Sequence, residues 1–338
     1  MRLIIFFRHY NKWNWLSIGL IALLWTQCTQ DAPRDNIFDP ESDLYSQSGS
    51  ITGTITGKYP PYTPVPNLKI DLMENNTHAF SDAIGEFEFS KLMPGSYSLT
   101  ISGDHYVTRA DSVTILPGQE TEWLVRMNGE PLITQVELIT KHVAHWQPSE
   151  DEYVLEAVAT ISDLDGELDI DSVQFQIPGW SFDTLLTNRV SGGVFAGTFF
   201  NDAFGLNAFP ELEGESIRLR CIDKSGDWGE WYQTQISRLI VSVPQTLSPA
   251  GLAVVDSLPT FRWSHFDAGF QVNYQVDVFR LDESAIPQFV FASPVMADTT
   301  LQWQSPSDLA NARYYWTLSV IDRYENVSVS KEAAFMVQ

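Results

Sequence analysis

Cysteine is scarce in this chain, since Cys28 and Cys221 are the only two among 338 residues. A disulfide framework of the kind that stabilises small secreted domains is therefore excluded. Cys221 ends the segment Ile217 to Cys221, in which apolar side chains alternate with arginines. We expect its thiol to lie on a buried sheet face as a small apolar group, because a reactive thiol needs exposure and positive neighbours on its own side.

Positive charge is also scarce, since 20 Lys and Arg stand against 43 Asp and Glu and the net charge is −23. Binding to nucleic acid needs clustered Lys and Arg, so a nucleic-acid partner is not expected. We interpret the acidity as a source of solubility for an exposed protein, with attraction of divalent cations as the alternative.

Sequence patterns of common catalytic sites are missing too. The chain has no Gly-x-Ser-x-Gly elbow, and Ser191-Gly192-Gly193 lacks the lysine and the helix of a phosphate-binding loop. His142 and His145 are three positions apart in a segment that alternates like a strand, where such residues point to opposite faces rather than to one zinc ion. The sequence therefore predicts a protein that is not an enzyme.

The first 27 residues have the pattern of an export signal. Basic residues at Arg2, Arg8 and Lys12 precede an apolar run from Trp15 to Trp25. That run is too short for a permanent transmembrane helix, which needs about 20 apolar residues, but it has the length of the apolar region of a signal peptide.

Cys28 directly follows the apolar run and resembles the modified cysteine in the lipobox of bacterial lipoproteins. The resemblance implies a signal peptide over residues 1–27, diacylation of the Cys28 thiol, cleavage before Cys28 and acylation of the new amino group. Several acyl chains anchor a protein stably, because each buried CH₂ contributes about 0.8 kcal/mol. Ordinary cleavage to a soluble secreted protein is the alternative.

Residues 28–47 read as a tether between the lipid and the first domain. The segment is rich in acids, contains Pro33 and Pro40 and has no periodic apolar face, so we expect a solvated, flexible stretch. Within it, the stretch Arg34 to Pro40 is similar to the segment that follows the lipidated cysteine in lipoproteins of the Bacteroidota. This similarity implies attachment to the outer membrane and leaves the face of that membrane open.

From residue 48 the sequence alternates between apolar and polar residues, as strands with one buried face do. One predicted strand has Tyr97, Leu99 and Ile101 facing inward between Ser and Thr residues. The segments Gly49 to Ile55, Ser81 to Phe89 and Leu92 to Leu99 together resemble the carboxypeptidase regulatory-like domain. The resemblance implies a prealbumin-like β-sandwich over residues 48–128, which is an accessory fold without a peptidase site.

Two more β-sandwiches are expected after the first. Residues 131–240 resemble an immunoglobulin-like sandwich, with Ile222 to Trp228 as its last hairpin. Residues 243–338 resemble a fibronectin type III domain, with Trp263 as the core aromatic and Tyr314 as the tyrosine-corner residue. The turn at Ile321-Asp322 repeats the turn at Ile222-Asp223, which suggests two related folds. The predicted fold class is all-β, with three tandem sandwiches.

One acidic segment is a candidate calcium site. Ca²⁺ takes six to eight oxygen ligands in a flexible shell, and five acidic side chains surround Gly166. They are Asp163, Asp165, Glu167, Asp169 and Asp171. The segment lacks the EF-hand pattern, so the alternative is a polar turn in which Asp163 and Asp165 accept hydrogen bonds from backbone amides and Asp169 and Asp171 lie on an exposed strand face.

Loop aromatics in the second sandwich are a candidate glycan site. Exposed aromatic rings stack on sugar rings or on partner side chains. The candidates are Trp180, Trp228, Trp231 and Tyr232, with packing at the core or its rim as the alternative. Two functions are therefore predicted: a non-catalytic envelope lipoprotein that acts as an interaction and spacer module, and a carbohydrate-binding lipoprotein. The protein or glycan partner is left open.

Lipid anchoring makes a direct prediction for Cys28. Cys28→Ser removes the thiol that receives the lipid, so the protein is expected to move from the membrane fraction to the soluble fraction when cells are fractionated. Cys221→Ser is the matched control and is expected to leave the protein with the membranes. Membrane retention of the Cys28→Ser protein would show that the anchor is elsewhere.

Overall fold

The computed structural model describes residues 36–37, 39–204 and 209–338. The predicted signal peptide and Cys28 lie outside the described residues. The predicted fold class is confirmed, because β-strands make up nearly all of the regular structure. In the described part of the chain, no helix is long and apolar enough to cross a membrane. The chain divides into two compact units, one ending at Asp104 and completed by Thr108–Met127, the other formed by His105–Val107 and Asn128–Gln338.

The first unit is a β-sandwich. The strands β4, β1 and β7 form one sheet, in which β1 and β7 run parallel, and β3, β2, β5 and β6 form the other. The bounds are β1 (Gly49–Gly57), β2 (Lys69–Leu72), β3 (Thr77–Phe80), β4 (Glu86–Leu92), β5 (Gly95–Ser102), β6 (Arg109–Ile115) and β7 (Glu120–Met127). The inward positions predicted for Tyr97, Leu99 and Ile101 are confirmed by their burial.

A short helix precedes the first unit's strands. Helix α1 (Asp43–Gln47) begins after Ser42, whose hydroxyl oxygen accepts a hydrogen bond from the Leu44 amide at 3.2 Å. A serine in this position satisfies an amide that the first helical turn leaves without a partner. The segment predicted as a tether over residues 28–47 therefore ends in one short helix, and its flexibility stays a prediction.

The second unit begins with a sandwich over residues 132–235. One face is the strand order β12-β13-β9-β8, and the other is β11-β10-β14-β15. The bounds are β8 (Leu132–Val143), β9 (Glu152–Ser162), β10 (Ile170–Ile177), β11 (Phe182–Leu186), β12 (Asn188–Ser191), β13 (Val194–Phe200), helix α2 (Asn201–Phe204), β14 (Ser216–Asp223) and β15 (Tyr232–Gln235). Cys221 is fully buried in this core, as predicted.

A further sandwich follows in the same unit. The strands β16, β18 and β22 form one sheet, and β24, β23, β19 and β20 are consecutive in the other, with β21, β25 and β17 attached to it. The bounds are β16 (Thr246–Ser248), β17 (Ala253–Val255), β18 (Thr260–Trp263), β19 (Val272–Leu281), β20 (Pro287–Ala292), β21 (Met296–Ala297), β22 (Gln302–Gln304), β23 (Ala312–Asp322), β24 (Val327–Val329) and β25 (Ala333–Val337).

The core of this last sandwich contains the two aromatics that the sequence singled out. Trp263 is 1% exposed, and Tyr314 is 2% exposed. The Tyr314 hydroxyl donates a hydrogen bond to the Ala310 carbonyl at 2.9 Å, four residues upstream, as a tyrosine corner does.

One sheet runs through both sandwiches of the second unit. Strand β24 pairs in parallel with β8, so that Val327, Ser328 and Val329 lie opposite Lys141, His142 and Val143. The sheet is therefore continuous from β12 to β20. The two hydrophobic cores on either side of this junction contain different residues, one built around Phe175 and one around Trp316.

Candidate functional site

Four turns in the described part of the chain use an aspartate in the same way, at Asp82, Asp223, Asp282 and Asp322. In each turn the Oδ1 atom accepts hydrogen bonds from the amides two and four residues later, at 2.8–3.0 Å. The aspartate amide donates to the carbonyl four residues later, which closes the loop. The residue three positions after the aspartate has a positive φ in every case. One carboxylate oxygen therefore accepts both side-chain hydrogen bonds that shape each turn.

At Asp322 the second carboxylate oxygen joins the two sandwiches of the second unit. Its Oδ2 atom accepts a hydrogen bond from Arg238 at 3.1 Å and one from the Asn326 side-chain amide at 3.2 Å. Arg238 lies in the segment that enters the last sandwich. The Asp322 side chain is fully buried, so this ion pair is shielded from the solvent screening that weakens surface pairs.

Asn326 extends this contact to strand β8. Its Oδ1 atom accepts hydrogen bonds from the Thr140 amide at 2.9 Å and from the Thr140 hydroxyl at 3.0 Å. The same hydroxyl is 2.9 Å from the Arg238 carbonyl, and the Arg238 guanidinium lies 3.8 Å from the centre of the Phe270 ring. We call Thr140, Arg238, Asp322 and Asn326 the junction latch.

The histidines near the junction lie apart, as the strand pattern predicted. His142 is 1% exposed, and its ring nitrogens face the Ile240 carbonyl at 3.2 Å and the Asp151 carboxylate at 2.9 Å. Its ring stacks on Tyr153, with the ring centres 4.3 Å apart. His145 is half-buried and contacts Glu332 at 3.1 Å instead. The two imidazole rings therefore contact different carboxylates.

The acidic segment is split between two environments. Asp163 accepts a hydrogen bond from the Asp165 amide at 2.7 Å, and Asp165 accepts one from the Gly129 amide at 2.6 Å. Glu167 instead accepts from the Gly193 amide at 3.0 Å, and Asp171 is exposed. Asp169 is 6% exposed and lies in a short 3-10 turn, so its expected place on an exposed strand face is wrong.

A second aspartate of the repeated kind lies beside this segment. The Oδ2 atom of Asp223 accepts a hydrogen bond from the Asn128 side-chain amide at 2.5 Å, and Asn128 also donates to Asp227 at 2.9 Å. Asn128 precedes the first strand of its sandwich, just as Arg238 precedes the first strand of the next. In both turns the Oδ2 atom of the aspartate therefore accepts a hydrogen bond from the segment that enters the sandwich.

One carboxylate of this cluster has a raised pKa. Burial, together with the charges of Asp165, Asp169 and Asp223, raises the pKa of Asp163 to about 6. The Oδ2 atom of Asp163 is buried and accepts no hydrogen bond. In the described residues, no group of three or more His, Cys, Asp or Glu side chains is arranged to hold a metal ion. Calcium binding at this segment stays a prediction.

The candidate glycan aromatics do not form one platform. Trp180 and Tyr232 are partly buried against the core of their sandwich. Trp231 lies between two guanidinium groups, 4.5 Å from that of Arg218 and 4.4 Å from that of Arg220. Trp228 is 39% exposed and lies 4.0 Å from the Arg220 guanidinium. These two arginines and two tryptophans form an alternating row, held by cation–π contacts, in which Trp228 is the exposed ring.

Polar residues of the neighbouring strands hold the arginines of this row. Arg218 donates to Gln176 at 2.7 Å and Arg220 donates to Gln174 at 2.9 Å. Both glutamines donate in turn to the Asp183 carboxylate. Hydrogen bonds therefore hold both arginines against the sheet, and Arg220 in turn contacts Trp228.

A groove lies beside the junction latch. Its volume is about 580 Å³, and it is lined by Val136 to Ile139 of β8, by Thr234 and Gln235 of β15 with the following Ser237, and by Arg323 to Glu325 of the Asp322 turn. Val136 and Leu138 are half-buried and pack against the core from one side of the groove. Most of the other lining residues are polar or charged.

The fold described above is that of tandem β-sandwich modules. Similarity to solved structures includes the Bacillus anthracis TIE protein (10% identity, TM-score 0.28, 86% of this chain and 49% of that one). It also includes the FN1–FN3 domains of chicken CNTN1 (12%, 0.32, 80% and 90%) and fibronectin(III)-like modules of Clostridium thermocellum CbhA (8%, 0.26, 60% and 94%). The chain spans about half the length of the TIE protein. The fold class given above rests on the strands and sheets of this chain itself.

Residues 50–128 match the carboxypeptidase regulatory-like domain, which confirms the resemblance noted for the first sandwich. No curated protein matches the chain. The domain match ends at Asn128, so the two sandwiches that follow are described by their fold.

The sequence contained a signal for part of this site. The repeated Ile-Asp turns at residues 222 and 321 marked the two aspartates, and their partners Asn128 and Arg238 carried no signal. Each partner lies more than eighty residues from its aspartate in sequence, so only the folded chain brings the two together.

Asp163 makes a pH-dependent prediction. Because its pKa is raised above the usual 3.8, the folded state keeps this proton to higher pH than the unfolded state. The raised pKa of Asp163 therefore lowers the free energy of unfolding as pH rises from about 4 through about 6. Asp163→Asn keeps the oxygen that accepts from Asp165 and is expected to raise the free energy of unfolding at pH 7 by about 1 kcal/mol, since partial exposure screens part of the repulsion.

Urea unfolding between pH 3.5 and 7.5 measures this effect. The exposed Asp171→Asn variant is the control and is expected to follow the wild type. Equal free energies of unfolding of Asp163→Asn and wild type at pH 7 would contradict a raised pKa at Asp163. Repeating the pH 7 series with calcium tests the metal prediction, since a bound ion would stabilise the wild type and leave Asp163→Asn unchanged.

Proposed function

We propose that this chain is an exported, lipid-anchored and non-catalytic interaction module whose second unit presents binding surfaces on a stiff spacer. The observation that carries this proposal is the continuous sheet across the two sandwiches of that unit, fixed by the junction latch. A connection made by a flexible linker alone would leave two such sandwiches free to reorient.

The junction latch supports stiffness because its polar groups satisfy one another in a buried place. Removing one partner of a buried ion pair costs about 3 to 5 kcal/mol, since the other charge is left uncompensated. Two further contacts act beside it. The Ser328 hydroxyl donates to the Ser242 carbonyl at 2.7 Å, and the Ala144 amide donates to the Val329 carbonyl at 3.1 Å.

Attachment to the envelope is supported by the sequence. The apolar run that ends just before Cys28 favours export and lipidation, and the acidic residues that follow favour a solvated connection to the first sandwich. In this proposal the lipid holds the chain at the outer membrane, and the sandwiches extend its reach to a partner.

Glycan binding through Trp228 is the second candidate function. The observation that favours it is an exposed indole ring, held in place on one side by Arg220 at 4.0 Å. An aromatic ring that is already immobile loses little conformational freedom when a sugar stacks on it.

A glycan array tests this second candidate. Binding of the protein to one sugar class is expected to fall at least tenfold in Trp228→Ala, because the stacking ring is lost. Trp146→Ala is the matched control, since Trp146 is also exposed, at 64%, and lies in the same unit. Absence of binding to any glycan, or equal loss in both variants, would contradict a site at Trp228.

The spacer proposal is tested by comparing two aspartates of the same turn type. Asp322→Ala removes a turn and the junction latch, whereas Asp282→Ala removes a turn only. We expect the free energy of unfolding to fall by about 3 kcal/mol in the first variant and by about 1 kcal/mol in the second.

Distance distributions between the two sandwiches provide the direct measurement. Spin labels at Leu185→Cys and Ile286→Cys occupy exposed positions of the two sandwiches. The labels are introduced in the Cys28→Ser protein. Cys221 is expected to stay unlabelled, because it is fully buried and burial raises the pKa of its thiol to about 12. A narrow distribution is expected in the wild type and in Asp282→Ala, and a broad one in Asp322→Ala. A broad distribution in the wild type would contradict the proposal.

A further inference from the structure

The edge of strand β8 is covered along only part of its length. Strand β24 pairs with β8 at Lys141 to Val143. The Asn326 side chain accepts a hydrogen bond from the amide of Thr140, the residue immediately before them. In the described chain, no strand pairs with the same edge from Val136 to Ile139. The open stretch lines the groove of about 580 Å³ beside the junction latch.

The backbone polarity of this stretch follows from the strand register. In an antiparallel pair, successive residues direct their N–H and C=O groups to alternate sides. Thr140 directs its amide away from β9 and towards Asn326, so Leu138 and Val136 must direct theirs to the same side. Glu137 and Ile139 direct theirs to β9, where Val158 and Glu156 lie opposite.

The groove thus exposes backbone N–H and C=O groups of β8 that no described strand pairs, and these groups are spaced as in one strand of a sheet. From Val136 to Ile139 the edge spans about 10 to 13 Å, at roughly 3.3 Å per residue. A strand edge in this state is a template for pairing with another extended chain. The pairing of β24 shows that the adjoining part of the edge already accepts a strand.

Side chains and charges narrow the kind of chain that fits. Val136 and Leu138 lie on the inward side of β8 and are half-buried, so an added strand would place alternate side chains against an apolar surface. Glu137 and Glu325 line the groove together with Arg323, and the whole chain carries a net charge of −23. Acidic residues in the added strand would therefore be repelled.

We propose that the second unit binds an extended segment of a partner protein by strand addition to β8 at Val136 to Ile139. The segment is apolar at alternate positions, free of acidic residues and neutral to basic. It lies end to end with β24 on the same edge and is hydrogen-bonded through the backbone groups of Val136 and Leu138. This inference builds on the proposed interaction role by giving the class of partner.

A capped peptide of sequence Lys-Val-Thr-Val-Thr-Val-Lys is the probe, and the exchange of single backbone amides of the whole protein is the readout. Saturating peptide is expected to slow exchange at Val136 and Leu138 at least tenfold. Glu137 and Ile139 are expected to stay unchanged, because their amides are already bonded to β9. This alternation distinguishes strand addition from non-specific apolar contact.

Two controls isolate the backbone contribution. The same peptide, N-methylated at every Val and Thr, keeps its side chains and loses its donors, so it is expected not to protect the edge. In the protein, Val136→Pro removes an outward amide without removing a bond to β9, and binding of the probe is expected to fall at least tenfold. Val136→Thr keeps the shape and the amide and is expected to bind normally.

Three results would overturn the proposal: no protection at Val136 and Leu138, protection of another edge such as Pro287–Ala292, or equal binding of the N-methylated peptide. The peptide comparison on wild-type protein decides the question even if Val136→Pro does not fold. Stiffness of the junction is measured separately. A narrow distance distribution together with an unprotected edge would reject this site and leave the spacer proposal standing.

Discussion

The second unit depends on buried carboxylates whose two oxygens accept hydrogen bonds from different segments of the chain. At Asp322 one oxygen closes a turn, and the other receives Arg238 from the segment that enters the sandwich. Asp223 divides its oxygens in the same way, between its turn and Asn128. Burying a carboxylate is costly unless its hydrogen-bonding capacity is met. Each of these turns is therefore complete only when the preceding segment is in place.

This dependence couples local turns to the arrangement of whole sandwiches. Because Asn326 belongs to the Asp322 turn and also accepts the Thr140 amide, the turn is aligned with β8. This alignment places β24 beside the end of β8, so that one sheet of each sandwich joins into a single continuous sheet. The same alignment ends the pairing of β24 before Val136 to Ile139, and that part of the strand edge lines a groove. Stiffness and an open binding edge are thus consequences of one geometry.

Charge is distributed unevenly over this unit. Burial, together with the neighbouring carboxylates, raises the pKa of Asp163. On the outer face of the other sheet, Arg218 and Arg220 are held by glutamines and tryptophans instead of by direct ion pairs. Planar guanidinium groups suit such stacking better than lysines do. The exposed Trp228 is supported on one side by Arg220.

The sequence by itself determined the fold class, the burial of Cys221, the tyrosine corner at Tyr314 and the repeated aspartate turns. Strand alternation and turn chemistry act over a few residues, and their signals are local. Tertiary structure alone decided that Asp169 is buried, that Trp180 and Tyr232 pack on the core, and that Arg238 reaches Asp322. It also decided which part of the β8 edge stays open. Those outcomes depend on residues far apart in sequence, so no local pattern records them.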